Sequence, residues 1–261
     1  MVDYSIVIPA YNEEAGISAS LTKVINFMKS FSNSFEVIVV DDGSTDKTSE
    51  IVQNYIDTHP ELHPSSIGSS YSAKLIRNPH KGKGATVRKG VLDSSGNYIL
   101  FSDADMATPI DEIKRMMVWI QEHDYDVVIA SRQGKGAKRK NEPFLRHLMG
   151  RVFNTFVRFM VLPGIQDTQC GFKLMKGDVA RNVFSKMILF GDSAPEIKVP
   201  KVSAFDIEML VISKRLKCKI KEVPVTWTYV PTTRVSPVRD SIDMFLDVVK
   251  VKLNDISGKY N

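Results

Sequence analysis

Between residues 4 and 130 the chain alternates short apolar runs with stretches of helical periodicity, and few folds accept that order. Residues 4–9 read as a strand, after which Asn12 is predicted to cap a helix with Ile17, Leu21, Val24, Ile25 and Met28 on one face. Phe35 to Val40 predicts a second strand, and Thr45 or Asp46 a cap for a helix bearing Ile51, Val52, Tyr55 and Ile56. Residues 57–73 are polar and rich in Pro, Ser and His, which predicts a surface loop. The alternation then resumes with a strand around Lys74 to Ile76, a helix from about Gly84 to Leu92, and a strand over Tyr98 to Ser102. A helix near Ile110 to Glu122, buried along Ile113, Met116, Met117 and Ile120, leads to a last strand over Val127 to Ala130. This order predicts an α/β fold whose sheet is mainly parallel and flanked by helices on both faces.

The second half has a different character. From Arg132 to Arg158 the bases are Arg132, Lys135, Lys138, Arg139, Lys140, Arg146, Arg151 and Arg158, opposed by Glu142 alone. Lys138, Arg139 and Lys140 read as a solvated basic face, whereas Arg132 follows a strand directly and is aimed at whatever lies beyond that strand's end. A helix from Pro143 to Met160 carries apolar residues on more than one face, punctuated by Arg146, Arg151 and Arg158, a combination that suits a lipid interface. A second amphipathic helix, Arg239 to Leu253, presents Ile242, Phe245, Leu246, Val249 and Leu253. No apolar run approaches the roughly 18 residues needed to span a bilayer, and no signal peptide is recognisable. Two distant cysteines, Cys170 and Cys218, favour a reducing compartment. The expectation is therefore a cytoplasmic protein, peripheral on the cytoplasmic face of a membrane. Without repeats or a low-complexity linker, residues 1–261 are expected to form a single domain. The net charge of +5 favours polyanionic partners such as nucleotides, lipid phosphates or nucleic acid.

Ligands of open α/β sheets sit beyond the carboxyl ends of the strands. Three polar clusters fall there: Pro9-Ala10-Tyr11-Asn12-Glu13, Asp41-Asp42-Gly43-Ser44 and Asp103-Ala104-Asp105. Asp103 and Asp105, one residue apart as the chain leaves a strand, are hard oxygen ligands suited to Mg²⁺ or Mn²⁺ bridging a diphosphate. Such an ion neutralises a leaving diphosphate.

The runs Ser-Ile-Val-Ile-Pro-Ala-Tyr-Asn-Glu-Glu, Val-Val-Asp-Asp-Gly-Ser-Thr-Asp, Asn-Pro-His-Lys-Gly-Lys-Gly and Ser-Asp-Ala-Asp resemble the family 2 glycosyltransferases of the GT-A fold. Asp167-Thr-Gln-Cys-Gly-Phe-Lys-Leu174, Phe205-Asp-Ile-Glu208 and Glu222-Val-Pro-Val-Thr-Trp227 are similar to the dolichyl-phosphate β-glucosyltransferases, and less closely to the mannosyltransferases. The resemblance implies a Rossmann-like GT-A fold in which residues 1–131 bind the nucleotide sugar. Residues 132–261 would then bind the acceptor, with helices apposed to a membrane. Pro9, Ala10, Tyr11 and Glu13 are implied to line the base and ribose, Asp41 or Asp42 to bond the base with Ser44 nearby, and Lys83 to lie near the nucleotide. Asp103, Ala104 and Asp105 would face the sugar diphosphate, with the metal on Asp103 and Asp105. Arg132, Arg146 and Arg151 are implied for a lipid phosphate, whose ionised oxygen needs positioning more than a base.

The reaction so implied is an inverting transfer, most simply of glucose from UDP-glucose to a dolichyl or polyprenyl phosphate, with Asp105, Arg132, Arg146 and Asp167 as catalytic candidates. The other readings are mannosyl transfer from GDP-mannose, a soluble enzyme with a hydroxyl acceptor for which Asp167 would be the base, and a nucleotide- or nucleic-acid-binding protein. The first reading expects no nucleic acid partner. Met106-Ala107 departs from the Leu-Gln pattern of the mannosyl enzymes, and the loop from Gly191 to Lys201 has no role in any of these readings.

Overall fold

The computed structural model describes residues 2–63, 70–198, 202–231 and 237–260. Its strands are β1 (Tyr4–Ala10), β2 (Phe35–Asp41), β3 (Tyr71–Arg77), β4 (Tyr98–Ser102), β5 (Val127–Ser131), β6 (Lys138–Lys140), β7 (Phe172–Lys176), β8 (Ile220–Pro224) and β9 (Thr226–Thr228). Its helices are α1 (Ile17–Phe31), α2 (Thr48–Asp57), α3 (Lys83–Leu92), α4 (Ile113–Gln121), α5 (Phe144–Met160), α6 (Gly177–Ser185), α7 (Phe205–Arg215) and α8 (Pro237–Ile256).

Seven strands form one sheet in the order β3-β2-β1-β4-β7-β5-β8, parallel throughout except for β7, which runs against both β4 and β5. Every residue of β1 and β2 is buried, as expected where both faces of a parallel sheet are covered, and this is why these strands read as unbroken apolar runs. The period of two sorts their side chains. Ile6, Ile8, Val37 and Val39 pack with α1, α2 and α4 on one face, while Val7, Ile38, Val40 and Ile99 pack with α3, α6, α7 and α8 on the other. A small parallel pair, β6 with β9, lies outside the main sheet.

Several local expectations are corrected. Helix α1 starts at Ile17, and Asn12 does not cap it: Asn12 sits at φ 52° with its Oδ1 accepting the Thr45 N–H at 2.8 Å. Asp46 does accept the Thr48 N–H, at 2.9 Å, so it ties down the start of α2. The polar stretch 57–73 is not all loop, since Leu62 is buried in a 3-10 turn and β3 begins at Tyr71. The 138–140 segment is a solvated face at Lys138 and Lys140, as expected, but not at Arg139. It pairs with β9, and Arg139 donates to Glu142 Oε2 at 2.6 Å and to the Arg132 carbonyl at 2.8 Å.

The C-terminal helix differs from a simple amphipathic element. Met244, Val248 and Val251 of α8 enter the core, while the apolar residues Ile242, Phe245, Leu246 and Leu253 face outward. No helix among the described residues is long and apolar enough to cross a membrane.

Candidate active site

The carboxyl ends of β1, β2 and β4 open onto one cleft, and residues from the second half of the chain close its other side. From β1 come Pro9, Ala10, Tyr11 and Glu13; from β2, Asp42; from the turn into α3, His80, Gly82 and Lys83; from β4, Asp103, Ala104 and Asp105. Arg132, Arg146, Gln169, Gly171, Phe205, Asp206, Trp227 and Tyr229 face them. Most of the residues expected from sequence therefore meet. Asp41, Ser44, Arg151 and Asp167 do not reach the lining.

Asp41 and Ser44 build the loop behind the cleft. The Ser44 hydroxyl donates to Asp41 Oδ1, Ser49 Oγ donates to Asp41 Oδ2 at 2.6 Å, and Ser44 Oγ accepts the Asn12 N–H at 2.9 Å. Asp42 takes the inward position. Its carboxylate accepts the N–H of Lys81 and of Gly82, both at 2.9 Å, and lies 2.8 Å from His80 Nδ1. Gly82 makes this turn at φ 87°, a conformation that a side chain resists. The His80 ring stacks on Tyr11 with centroids 4.2 Å apart and planes 10° apart, forming an aromatic wall beside the β1 loop.

Electrostatics concentrate at the end of β4. Asp105 opens onto the cleft, yet the surrounding walls withhold solvent and, with the charge of Asp103, push its carboxyl up to about 6. Lys83 forms an ion pair with Asp103. Burial works against the Lys83 charge, but Asp103 and Asp206 outweigh it and hold the ammonium above the ordinary lysine value. Two carboxylates that repel each other in a partly desolvated wall, with the cleft open before them, fit a divalent cation with coordination positions to spare. Gly171 makes this packing feasible: a Cβ there would lie 2.1 Å from Asp103 Oδ2, and the Gly171 carbonyl accepts the Asp103 N–H at 3.0 Å.

Asp167 is fully buried and serves Arg132. Its carboxylate accepts the Arg132 N–H at 2.8 Å, Nε–H at 2.7 Å and Nη2–H at 2.8 Å. Burial alone would raise this carboxyl, but the Arg132 charge and hydrogen bonds outweigh burial and hold it at about 2. A carboxylate so occupied is a poor general base, and its effect is to fix the guanidinium in the cleft wall. Arg132 lies 5.4 Å from the Trp227 ring centre and Arg146 lies 5.1 Å from that of Tyr229. Arg151 is exposed on α5.

Sequence reasoning missed His80, Gln169, Gly171, Asp206, Trp227 and Tyr229 as lining residues. The signal for several of them was present in the Asp167–Leu174 string, whose members turn out to support the cleft. Asp167 holds Arg132, Gly171 gives clearance to Asp103, and the buried Lys173 pairs with Asp206.

A mainly parallel seven-stranded sheet flanked by helices is the architecture of a GT-A glycosyltransferase, and solved structures share this fold. Mannosyl-3-phosphoglycerate synthase from Rubrobacter xylanophilus aligns with a TM-score of 0.65 at 14% identity, over 99% of this chain and 75% of that one. Glucosyl-3-phosphoglycerate synthase from Mycobacterium tuberculosis, in complex with Mn²⁺, UDP and glucosyl-3-phosphoglycerate, aligns with a TM-score of 0.61 at 17% identity, over 97% of this chain and 80% of that one. The family model of glycosyl transferase family 2 matches residues 5–184, and the chain belongs to that family. A dolichyl-phosphate beta-glucosyltransferase of Dictyostelium discoideum is 34% identical over 97% of this chain and 75% of its own. The Mus musculus dolichyl-phosphate beta-glucosyltransferase is 30% identical over 98% of this chain and 76% of its own.

Proposed function

We propose that this protein transfers glucose from UDP-glucose to a dolichyl or related polyprenyl phosphate, inverting the anomeric configuration, at the surface of a membrane. The observation that carries this reading is the pairing, across one cleft, of the Asp103–Asp105 carboxylates with Arg132 and Arg146. One wall suits a metal-bound sugar diphosphate and the other suits an anionic acceptor. The names of the Dictyostelium and mouse relatives support the sugar and the lipid phosphate.

In this reading Tyr11, Glu13 and Asp42 receive the base and ribose, and Lys83 receives the diphosphate. Asp103 and Asp105 would hold Mg²⁺ or Mn²⁺, whose charge offsets that developing on the leaving UDP. Arg132, immobilised by Asp167, and Arg146 hold the acceptor phosphate so that its oxygen faces C1. The new C1–O bond to the lipid phosphate forms as the C1–O bond to UDP breaks, which gives a β-linked product from an α-linked donor. No base is required, because the acceptor oxygen is already ionised. A hydroxyl acceptor would need one, and Asp167 is occupied by Arg132.

Residues 1–131 supply most of the donor side and residues 132–261 the acceptor side. On α5, Phe144 and Phe159 are 79% and 86% exposed, beside the exposed Arg151 and Arg158. On α8, Phe245 stacks on Phe156 of α5 at 4.7 Å, so the outward apolar residues of the two helices adjoin. These exposed apolar and basic residues support a peripheral position on a membrane surface, read here as the cytoplasmic face.

The test is a donor panel of UDP-glucose, UDP-galactose, UDP-GlcNAc and GDP-mannose with Mg²⁺ or Mn²⁺ and a short polyprenyl phosphate. A glucolipid from UDP-glucose is expected. Absence of a glycolipid from every donor would overturn the proposal, and mannolipid alone would replace the sugar while keeping the acceptor.

A further inference from the structure

Asp103 is wanted by two cations. Its carboxylate faces the ammonium of Lys83, the first residue of α3, and it is one of the two carboxylates assigned above to a divalent ion. Lys83 is not free to wander. The preceding Gly82 donates its N–H to Asp42 at 2.9 Å, and the ammonium lies 5.8 Å from the centre of the Phe205 ring. Helix α3 is also pressed against Phe205 and the Phe190 ring, since a Cβ at Gly84 would lie 2.6 Å from Phe205 Cβ and 2.9 Å from Phe190 Cγ. An anchored ammonium and a divalent ion at one carboxylate repel each other, so occupancy by one disfavours the other.

Two further carboxylates lie within electrostatic reach of Lys83: Asp105, itself part of the same cation site, and Asp206. The latter is already engaged: Lys173, fully buried, forms an ion pair with Asp206 and donates to the Cys170 carbonyl at 2.6 Å. Asp206 therefore offers Lys83 a weak alternative to Asp103. A diphosphate entering the same cleft brings its own negative charge and offers a strong one.

We propose that Lys83 is an internal competitor for the cation site at Asp103, and that a nucleoside diphosphate relieves the competition by drawing Lys83 toward itself. This inference rests on the donor-site reading of Asp103 and Lys83 given above and adds a coupling between the two ligands. Metal and nucleotide then favour each other's binding, and by linkage the effect is the same whichever arrives first. The protein alone discriminates against free divalent cations, and the full affinity of the carboxylates is expressed only with a diphosphate in place.

The diagnostic is one substitution that moves two affinities in opposite directions. Lys83→Met, with Lys83→Gln as a second uncharged variant, is titrated with Mn²⁺ in nucleotide-free solution and followed by electron paramagnetic resonance. UDP binding is measured by calorimetry in the presence of EDTA, and far-UV circular dichroism checks the fold. Mn²⁺ affinity is expected to rise about tenfold, the scale of ordinary binding couplings, while metal-free UDP affinity falls. Lys83→Arg, which keeps a cation beside Asp103, is expected to retain the wild-type Mn²⁺ affinity.

If both uncharged variants bind UDP more weakly but Mn²⁺ no more tightly than wild type, Lys83 is a diphosphate ligand without a competing role and the inference fails alone. A loss of both affinities points to a structural role for the Lys83–Asp103 pair and equally overturns it. If the wild-type protein binds neither Mn²⁺ nor UDP, the donor-site reading itself falls.

Discussion

Asp105 and Asp167 are both acidic, both near the cleft, and opposite in what their loss should do. Asp105 is exposed to the cleft and makes one local bond, accepting the Ala107 N–H at 3.0 Å. Its replacement by Ala should leave the unfolding midpoint close to wild type while lowering kcat/KM by about 10²–10³, the scale for removing one electrostatic stabiliser of a transition state. Unimpaired turnover would remove it from the metal site. Asp167→Ala should instead destabilise the protein by about 3 kcal/mol in urea, the lower end for breaking a buried pair, because it strands a largely buried guanidinium. The pH dependence has a definite sign. A carboxyl held at about 2 when folded, against an ordinary 3.8, contributes stability that is complete above the ordinary value and is lost as pH falls toward 2. The gap between wild type and Asp167→Ala should therefore be full at pH 7 and should narrow below about pH 4. A gap independent of pH would argue against the Arg132–Asp167 pair as its source.

Helices α5 and α8 make a sharper claim about the surface than their sequences did. An apolar stripe at helical spacing ordinarily marks a core face, and in α8 the predicted stripe of Ile242, Phe245, Leu246, Val249 and Leu253 lies on the outside at every position but the half-buried Val249. The inner face is carried by Met244, Val248 and Val251, which the spacing alone does not separate from it. Phe159→Glu on α5 alters a side chain with almost no intramolecular contact to lose, so its stability should change by no more than about 0.5 kcal/mol. Its binding to anionic phospholipid vesicles, measured by co-sedimentation, should fall about tenfold. Equal binding by the variant and wild type would detach α5 from the membrane. The strands and helices of residues 4–131 were the most legible elements, since β1, β2, β4 and β5 are buried runs and α1, α2 and α4 are regular amphipathic patterns. The polar strand β6 was not legible, because its three basic residues gain strand conformation only by pairing with β9.

At the level of the whole molecule, the sheet's parallel half and the three loops at its carboxyl edge could be read from residue order, because sequential strands of an α/β protein bring those ends together. What lay opposite could not. Nothing local to Gly171 or Asp206 reveals that they stand near Asp103 and Lys83, since Gly171 is placed by β7 entering the sheet backwards and Asp206 by α7, from which it pairs with Lys173 of that strand. Ser102 pairs with Phe172, so the first residues of β7, not its last, meet the end of β4. This reversal has a consequence for the order of synthesis. A nascent chain that has cleared the ribosome only as far as Ser131 holds the loops after β1, β2 and β4, but it lacks the wall behind Asp103, the carboxylate that fixes Arg132 and the aromatic rings of Trp227 and Tyr229. Domains generally fold as units during synthesis, and here the unit is unfinished until α8 has added Met244, Val248 and Val251 to the core. The two walls of the cleft are therefore expected to meet only when nearly the whole chain has been made.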